Sequence, residues 1–398
     1  MSRKLVVSAL IVALAALVAG GCKPPEKKDY SRALPPGAYA LRKITPENYP
    51  DFTLGFPANR EKLVTSVDWS LDYLAHPTSQ KYFPIQDLTH DQAVASLQAF
   101  RRLALAARTP EDLQRGIVSA FDVYQSVGCD DKGTVLFTGY YTPILEGSLQ
   151  RGGAYQYPLY RAPDNLVKDA DGKCLGMRMP DGRLAPAPSR HDLETSGMLK
   201  GLELVYLNVK FDVHVAQVQG SAKIRLPSGE LFEVGYAATN GLDYASVGQA
   251  LVTDKKIAAD ELSLQAIRAY FRAHPDEVDK YIQRDDRFVF FRATSGGPYG
   301  SLGTPVTPFE TLATDKTIFP RACLTYVVTL IPYKKDGQNV RYQFSRFMLD
   351  QDTGGAIRAP GRADIYVGTG EKAGEIAGTT KNEGQLYYLF LKPGADRL

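Results

Sequence analysis

Asp352-Thr353-Gly354-Gly355-Ala356-Ile357, followed by Arg362-Ala363-Asp364-Ile365-Tyr366-Val367-Gly368-Thr369-Gly370, is the stretch on which the fold turns. Two carboxylates stand twelve positions apart with a glycine pair between them, and the second opens a run of alternating polarity. Successive side chains of a strand point to opposite faces, so Asp364 and Tyr366 share one face while Ile365 and Val367 share the other. The pattern predicts an acid beside an aromatic over a groove, with the apolar pair turned to a core. Gly354-Gly355 and Gly368-x-Gly370 fit groove walls, because glycine permits close approach of a backbone or a ligand. Read without context, Asp352 also fits a turn cap and Asp364 the start of an edge strand.

The run D-x-G-G-A-I, then R-x-D-I-Y-x-G-x-G, then A-x-x-x-A-G at Ala373 to Gly378, resembles the C-terminal three-aspartate domain of the membrane-bound lytic transglycosylase A (MltA) family. Upstream segments agree with the same family in the same order from about Ser66. Thr138-Gly139-Tyr140-Tyr141-Thr142-Pro143 is similar to its T-G-Y-Y-x-P motif, with Thr142 where many members carry Glu. Tyr157-Pro158-Leu159-Tyr160 resembles its P-L-Y segment, and Asp315 to Pro320 its D-x-x-I-x-P connection. Gln219-Gly220-Ser221-Ala222, Gly235 to Gly241 and Tyr244 to Gly248 are similar to Q-G-S-G, G-Y-A-G-x-N-G and Y-x-S-I-G. Ala222 and Ala238 replace two family glycines, which predicts a slightly narrower cleft if they line it.

The resemblance implies a mainly β fold with flanking helices: a double-psi β-barrel domain, a second inserted β-rich domain, and a substrate groove between them. Residues 1–22 then form a lipoprotein signal peptide and 23–59 a tether and lead-in. The barrel takes 60–146 plus 286–398, including the three-aspartate segment, and the insert takes 147–285. The implied activity is a lytic transglycosylase that cleaves the β-1,4 bond between N-acetylmuramic acid and N-acetylglucosamine without water, leaving 1,6-anhydro ends. One carboxyl suffices for that chemistry, as acid and then as base. By match to the motif, Asp364 is that residue and Asp352 its neighbour. No third aspartate stands in register after Gly368.

Other polar and aromatic positions are candidates to bind sugar. Amides and hydroxyls suit sugar hydroxyl and acetamido groups, which need donors and acceptors, and tyrosine faces pack on sugar rings. The candidates are Thr138, Tyr140, Tyr141, Gln219, Gly220, Ser221, Tyr236, Asn240, Gly354, Gly355 and Tyr366. The same tyrosines also fit a β-rich core, and Asn240-Gly241 and Ser228-Gly229 also fit turns.

The 398 residues are 44% hydrophobic and 23% charged, an ordinary globular composition with room for two domains. The formal charge of +3 includes Arg3 and Lys4 of the leader, so the remaining chain is close to neutral and offers nothing for nucleic acid. Arg3-Lys4, an apolar run from Leu5 to Val18, and Ala19-Gly20-Gly21-Cys22 resemble a bacterial lipobox. Cleavage before Cys22 would leave a lipidated cysteine as the membrane anchor. Lys23 after it matches sorting to the outer membrane, facing the periplasm.

Cys129, Cys174 and Cys323 remain, an odd number that implies no disulfide framework. The five histidines are scattered and no C-x-x-C or H-E-x-x-H occurs, so neither a metal nor a cofactor is expected. GxSxG and phosphate-loop motifs are missing from the sequence as well. The expected partners are peptidoglycan glycan strands and the membrane, with the chain monomeric. Two competing readings are a two-carboxylate peptidoglycan or glucan hydrolase with Asp352 as base, and a non-catalytic, expansin-like wall-binding lipoprotein.

Apolar stripes predict helices through Leu63, Val67, Leu71 and Leu74, after a Thr89-x-x-Gln92 capping box, and after Thr109-Pro110 through Leu113, Ile117, Phe121 and Tyr124. Lys168 to Pro188 reads as an exposed loop, Leu202 to Val218 as strand-like, and Phe288 to Arg292 as the return to the first domain.

Overall fold

A computed structural model describes residues 28–57, 59–335 and 338–395. Cys22 and the expected signal peptide, residues 1–22, lie outside them. Among the described residues no helix is long and apolar enough to cross a membrane.

Strand β1 (Leu41–Ile44) is followed by helices Arg60–Ala75, His90–Ala106 and Pro110–Ala120, then by β2 (Phe121–Ser126), β3 (Val135–Thr142) and β4 (Ile144–Ser148). Next come β5 (Tyr157–Tyr160), β6 (Leu166–Lys168), β7 (Cys174–Arg178), β8 (Leu184–Ala185) and β9 (Glu203–Leu207). Helix Lys210–Gln219 precedes the hairpin of β10 (Ser221–Arg225) and β11 (Leu231–Thr239), and helix Leu264–Ala273 precedes β12 (Val289–Thr294). The chain finishes with β13 (Thr311–Ala313), β14 (Leu324–Lys335), β15 (Gln338–Asp352), β16 (Arg362–Thr369), helix Glu371–Thr379 and β17 (Lys381–Leu391).

Pairing in the order β17-β14-β15-β13-β16-β3 is closed by β3 against β17, giving a six-stranded barrel flanked by β2 and β1. Closure leaves these strands no open edge. It depends on β17 pairing with two other barrel strands: Lys381–Gly384 pair with β3, and Gln385–Tyr388 with β14. The crossing point is Gly384, where a Cβ would sit 2.2 Å from the Val328 carbonyl oxygen. Inside, Ala363, Ile365 and Val367 of β16 join Phe137, Leu312, Tyr326, Leu349 and Leu389 in one core, as the alternation predicts. Leu63, Val67, Leu97, Phe100, Leu113 and Ile117 pack against it from the helices.

Both helix starts are capped, but differently. Thr109 and Asp112 form a reciprocal capping box, worth about 1 kcal/mol for the cap alone. Thr89 accepts from the Gln92 amide, yet the Gln92 side chain donates instead to the Leu391 carbonyl at 3.3 Å and ties the helix to β17. The third helix stops at Ala120, so Phe121 and Tyr124 belong to β2 rather than to its stripe.

A single residue, Pro143, separates β3 from β4, which opens a second sheet of order β12-β11-β10-β4-β9-β5. Several expectations change here. Phe288–Arg292 does not yet return to the barrel, because β12 pairs with β11 and buries Val289 and Phe291 in the core of this second sheet. Leu202–Val218 is strand only at β9; Lys210–Gln219 is helical and ends at Gly220, whose φ of 74° favours glycine. The expected loop at 168–188 carries a three-stranded sheet, β6-β7-β8. Ala222 and Ala238 are 1% and 0% exposed, so they are core residues and do not narrow a cleft. Cys129, Cys174 and Cys323 are free thiols.

Candidate active site

Strand register brings the two motif aspartates together. Asp364 on β16 stands opposite Thr138 on β3 and Ala313 on β13, and Ala313 stands opposite Asp352 on β15. Registered neighbours present side chains to the same face, so Asp352, Ala313, Asp364 and Thr138 form one row. The two acids are separated by two strand spacings, about 10 Å between Cα atoms, with Ala313 on the strand between them. A bulge in β15 sets this row, since Leu312 pairs with Asp350 and Ala313 with Asp352.

The two carboxyls have different surroundings. Asp352 Oδ2 accepts from the Tyr140 hydroxyl at 2.7 Å, and Oδ1 accepts from the Ser301 and Thr353 amides, each at 2.8 Å. Burial pushes its pKa up, and these three donors pull against that. Asp364 Oδ1 is buried and has no hydrogen-bond partner among the described residues. Burial raises its pKa to about 7; the Arg362 guanidinium and Thr138 hydroxyl oppose the rise and the Asp352 charge adds to it. The two carboxyls thus differ: three donors hold Asp352, while one buried oxygen of Asp364 has none among the described residues. Tyr140, held well above the usual phenol range by burial and by Asp352, stays protonated and keeps donating.

The remaining candidates divide. Thr138 is half-buried and accepts from Arg362 Nη2 at 3.3 Å, beside Asp364. Gly354 and Gly355 open the loop after Asp352, and a Cβ on Gly355 would lie 3.3 Å from the Arg287 guanidinium. Arg287 also sits by Tyr236, whose ring is 44% exposed on β11, so Tyr236, Arg287 and Gly355 span the two sheets. Gly220 has open space where a side chain would be. Gln219 is half-buried and accepts from the Tyr141 amide at 3.0 Å.

Four others are taken up by the structure itself. Asn240 is 3% exposed, donating to the Pro188 and Asp286 carbonyls and accepting from the Phe288 amide. Tyr141 is buried against Gly374 of helix Glu371–Thr379. Tyr366 is 1% exposed, so its ring offers no face to a ligand; its hydroxyl meets Thr142 Oγ1 and Thr369 Oγ1, each at 3.1 Å. Ser221 is buried, with Oγ 3.3 Å from Thr142 Oγ1. Thr142, Ser221, Tyr366, Gln219 and the Tyr141 amide thus make a polar seam between the sheets.

Sequence reasoning missed Arg287, Ser301 and Asp350. Asp350 is fully buried two residues before Asp352, paired with Lys316 and accepting from the Thr314 and Tyr388 hydroxyls at 2.7 Å each. Among the described residues no cluster of His, Cys, Asp or Glu could hold a metal. A trough of about 650 Å3 lined by Arg42, Tyr49, Gln125, Gln343, Gln385 and neighbours involves none of these candidates.

Residues 136–292 match the family described as the MltA specific insert domain, and 310–390 match the 3D domain. The membrane-bound lytic murein transglycosylase A of Escherichia coli (strain K12) is 32% identical over 278 residues, 69% of this chain and 70% of that protein. The crystal structure of a membrane-bound lytic murein transglycosylase from Agrobacterium tumefaciens superposes with a TM-score of 0.73 at 26% identity, covering 90% of this chain and 99% of that one. E. coli MltA with bound chitohexaose shares the fold, with a TM-score of 0.69 at 24% identity over 93% of this chain and 98% of that one.

Proposed function

Because this chain belongs to the membrane-bound lytic murein transglycosylase A family, we propose that Asp364 is the single acid and base of its reaction. The chain is a peptidoglycan lytic transglycosylase, a lyase whose closed barrel carries the 3D domain. Protonated Asp364 gives its proton to the oxygen leaving C1 of N-acetylmuramic acid as the glycosidic bond breaks. The positive charge that develops at C1 lies near the Asp352 carboxyl, which three donors hold in place. Asp364, now a carboxylate, takes the proton from the C6 hydroxyl of the same sugar as that oxygen attacks C1 and closes the 1,6-anhydro ring. The proton count balances without water, and the internal hydroxyl brings the proximity that a bound water would otherwise need. A hydrolase with paired carboxylates would instead need a base to activate water.

The observation that carries this reading is the buried, unpartnered Asp364 Oδ1 beside an Asp352 that three donors hold. In it Tyr140 is a positioning residue that fixes Asp352. Thr138, Gln219, Gly220, Tyr236, Gly354 and Gly355 line the groove, while Tyr141, Ser221, Asn240 and Tyr366 hold its walls together. Peptidoglycan glycan strands are the ligand, in line with the chitohexaose held by E. coli MltA. The chain works in the cell envelope, as its membrane-bound relatives do. Anchoring through lipid on Cys22, in the outer membrane and as a monomer, belongs to the same proposal. No cofactor takes part.

The test is to incubate the full chain with purified sacculi and weigh the released muropeptides. Ends one water lighter than reducing ends are expected. Reducing ends would make the protein a hydrolase, and pelleting with sacculi without soluble products would make it a binding protein.

A further inference from the structure

The insert touches the barrel at a place remote from the polar seam. Lys81 Nζ donates to the Ala170 carbonyl at 3.1 Å and meets Asp171 Oδ1 at 2.5 Å, and the Tyr82 hydroxyl donates to the same carboxylate oxygen at 2.8 Å. Asp171 lies in the turn between β6 and β7, on the small sheet that departs from the insert, whereas Lys81 and Tyr82 follow helix Arg60–Ala75 on the barrel side. Those two donors hold the Asp171 carboxyl below its usual range.

Both ends of this bridge lead to the candidate site. At its base, Cys174 packs on Gly241, 3.1 Å from where a Cβ would be, and Lys168 Nζ reaches the Ala237 carbonyl at 3.5 Å, beside Tyr236. At its landing point the Tyr82 ring lies 3.6 Å under the Arg321 guanidinium. Ala322, the next residue, donates its amide to the Asp350 carbonyl at 2.9 Å. The insert and the barrel therefore approach each other at two places, Arg287 against Gly355 and Asp171 against Lys81 and Tyr82, with short stretches of chain leading from each to Tyr236 on one side and to Asp352 on the other.

We propose that Asp171, Lys81 and Tyr82 form a clasp over the groove that decides which glycan segments reach Asp364, a proposal that rests on the reading of that groove given above. With the clasp shut, a strand threads in by an end. The interior of a long strand reaches Asp364 only when the clasp opens. Lys81 and Asp171 are exposed, at 41% and 54%, so salt screens their attraction and the clasp opens readily. Asp171 and Lys81 are then specificity-determining residues that touch none of the reacting atoms.

The test uses the full chain and its Asp171→Ala variant on intact sacculi and on a soluble peptidoglycan tetrasaccharide, with amide hydrogen exchange followed at residues 77–83 and 169–173. Expected in Asp171→Ala is a several-fold rise in the ratio of sacculus to tetrasaccharide turnover, with the tetrasaccharide rate unchanged, and faster exchange in both segments. Raising salt produces the same changes in the wild type and little further change in the variant. The charge swap Lys81→Glu with Asp171→Lys restores the low ratio. Equal ratios in wild type and variant, or exchange at 169–173 indifferent to both the substitution and salt, would overturn the clasp. The exchange measurement decides this even if Asp364 proves not to be the acid.

Discussion

Asp364→Asn lowers turnover on sacculi by about 10²–10⁴-fold, the usual worth of a positioned general acid or base. Asparagine keeps the shape of the side chain but can neither give the proton nor take one back, so both halves of the reaction fail together. Glycan binding survives, because Asp352, Tyr140 and the polar seam are untouched. The variant also carries a second signature. Asp364 titrates near 7 in the folded chain, far above an unfolded aspartate at about 4. As pH rises between those two values the unfolded state gives up its proton first, so wild-type stability declines across that window. Asparagine removes this part of the decline, and the stability of the variant relative to wild type grows from about pH 4 to about pH 7. Melting curves at several pH values measure it. Near-normal turnover, or a stability difference that is flat with pH, contradicts the assignment.

Lys316→Met costs about 3–5 kcal/mol of folding stability, the penalty for leaving a buried charge without its partner. Asp350 is 0% exposed and Lys316 8%, and the pair sits beneath the row that carries Asp352. The Thr314 and Tyr388 hydroxyls satisfy part of the Asp350 carboxylate but cannot neutralise it. Adding Asp350→Asn to Lys316→Met should recover much of the loss, because the orphaned charge is then gone. Denaturant midpoints of the two variants check this. A loss under about 1 kcal/mol in the single variant would show that the pair is solvated rather than buried.

The sequence revealed the barrel segment well because period-2 alternation and burial coincide there: Ile365 and Val367 lie in the core, and Asp364 faces its neighbours across the row. It failed where the pattern is ambiguous. Phe211, Val213 and Val215 alternate as a strand would, yet helix Lys210–Gln219 buries Phe211, His214, Val215 and Ala216 on one side and ends at Gly220. The strands β6, β7 and β8 are two to five residues long, too short to show a period among the Gly, Pro and Asp around them, so Lys168–Pro188 reads as loop.

At the site, composition separated polar from apolar residues but not groove from scaffold. Asn240 and Tyr366 carry sugar-binding chemistry in their side chains, but backbone carbonyls and hydroxyls occupy it. Asp350 could have been noticed as an acid directly after the apolar run Phe347-Met348-Leu349. Its partner Lys316 lies 34 residues away, beyond any local pattern. Arg287 became visible only once its distance to Gly355 was known.

Burial and a missing partner push the Asp364 carboxyl up to about 7, while three donors hold Asp352. Carbon-labelled aspartate followed by NMR as pH is raised, with the Asp364→Asn variant identifying the resonance, measures it directly. A midpoint near 7 for the Asp364 carboxyl is predicted, coinciding with the fall of kcat/KM on the alkaline side. A midpoint near the ordinary aspartate value of about 4 would contradict the account.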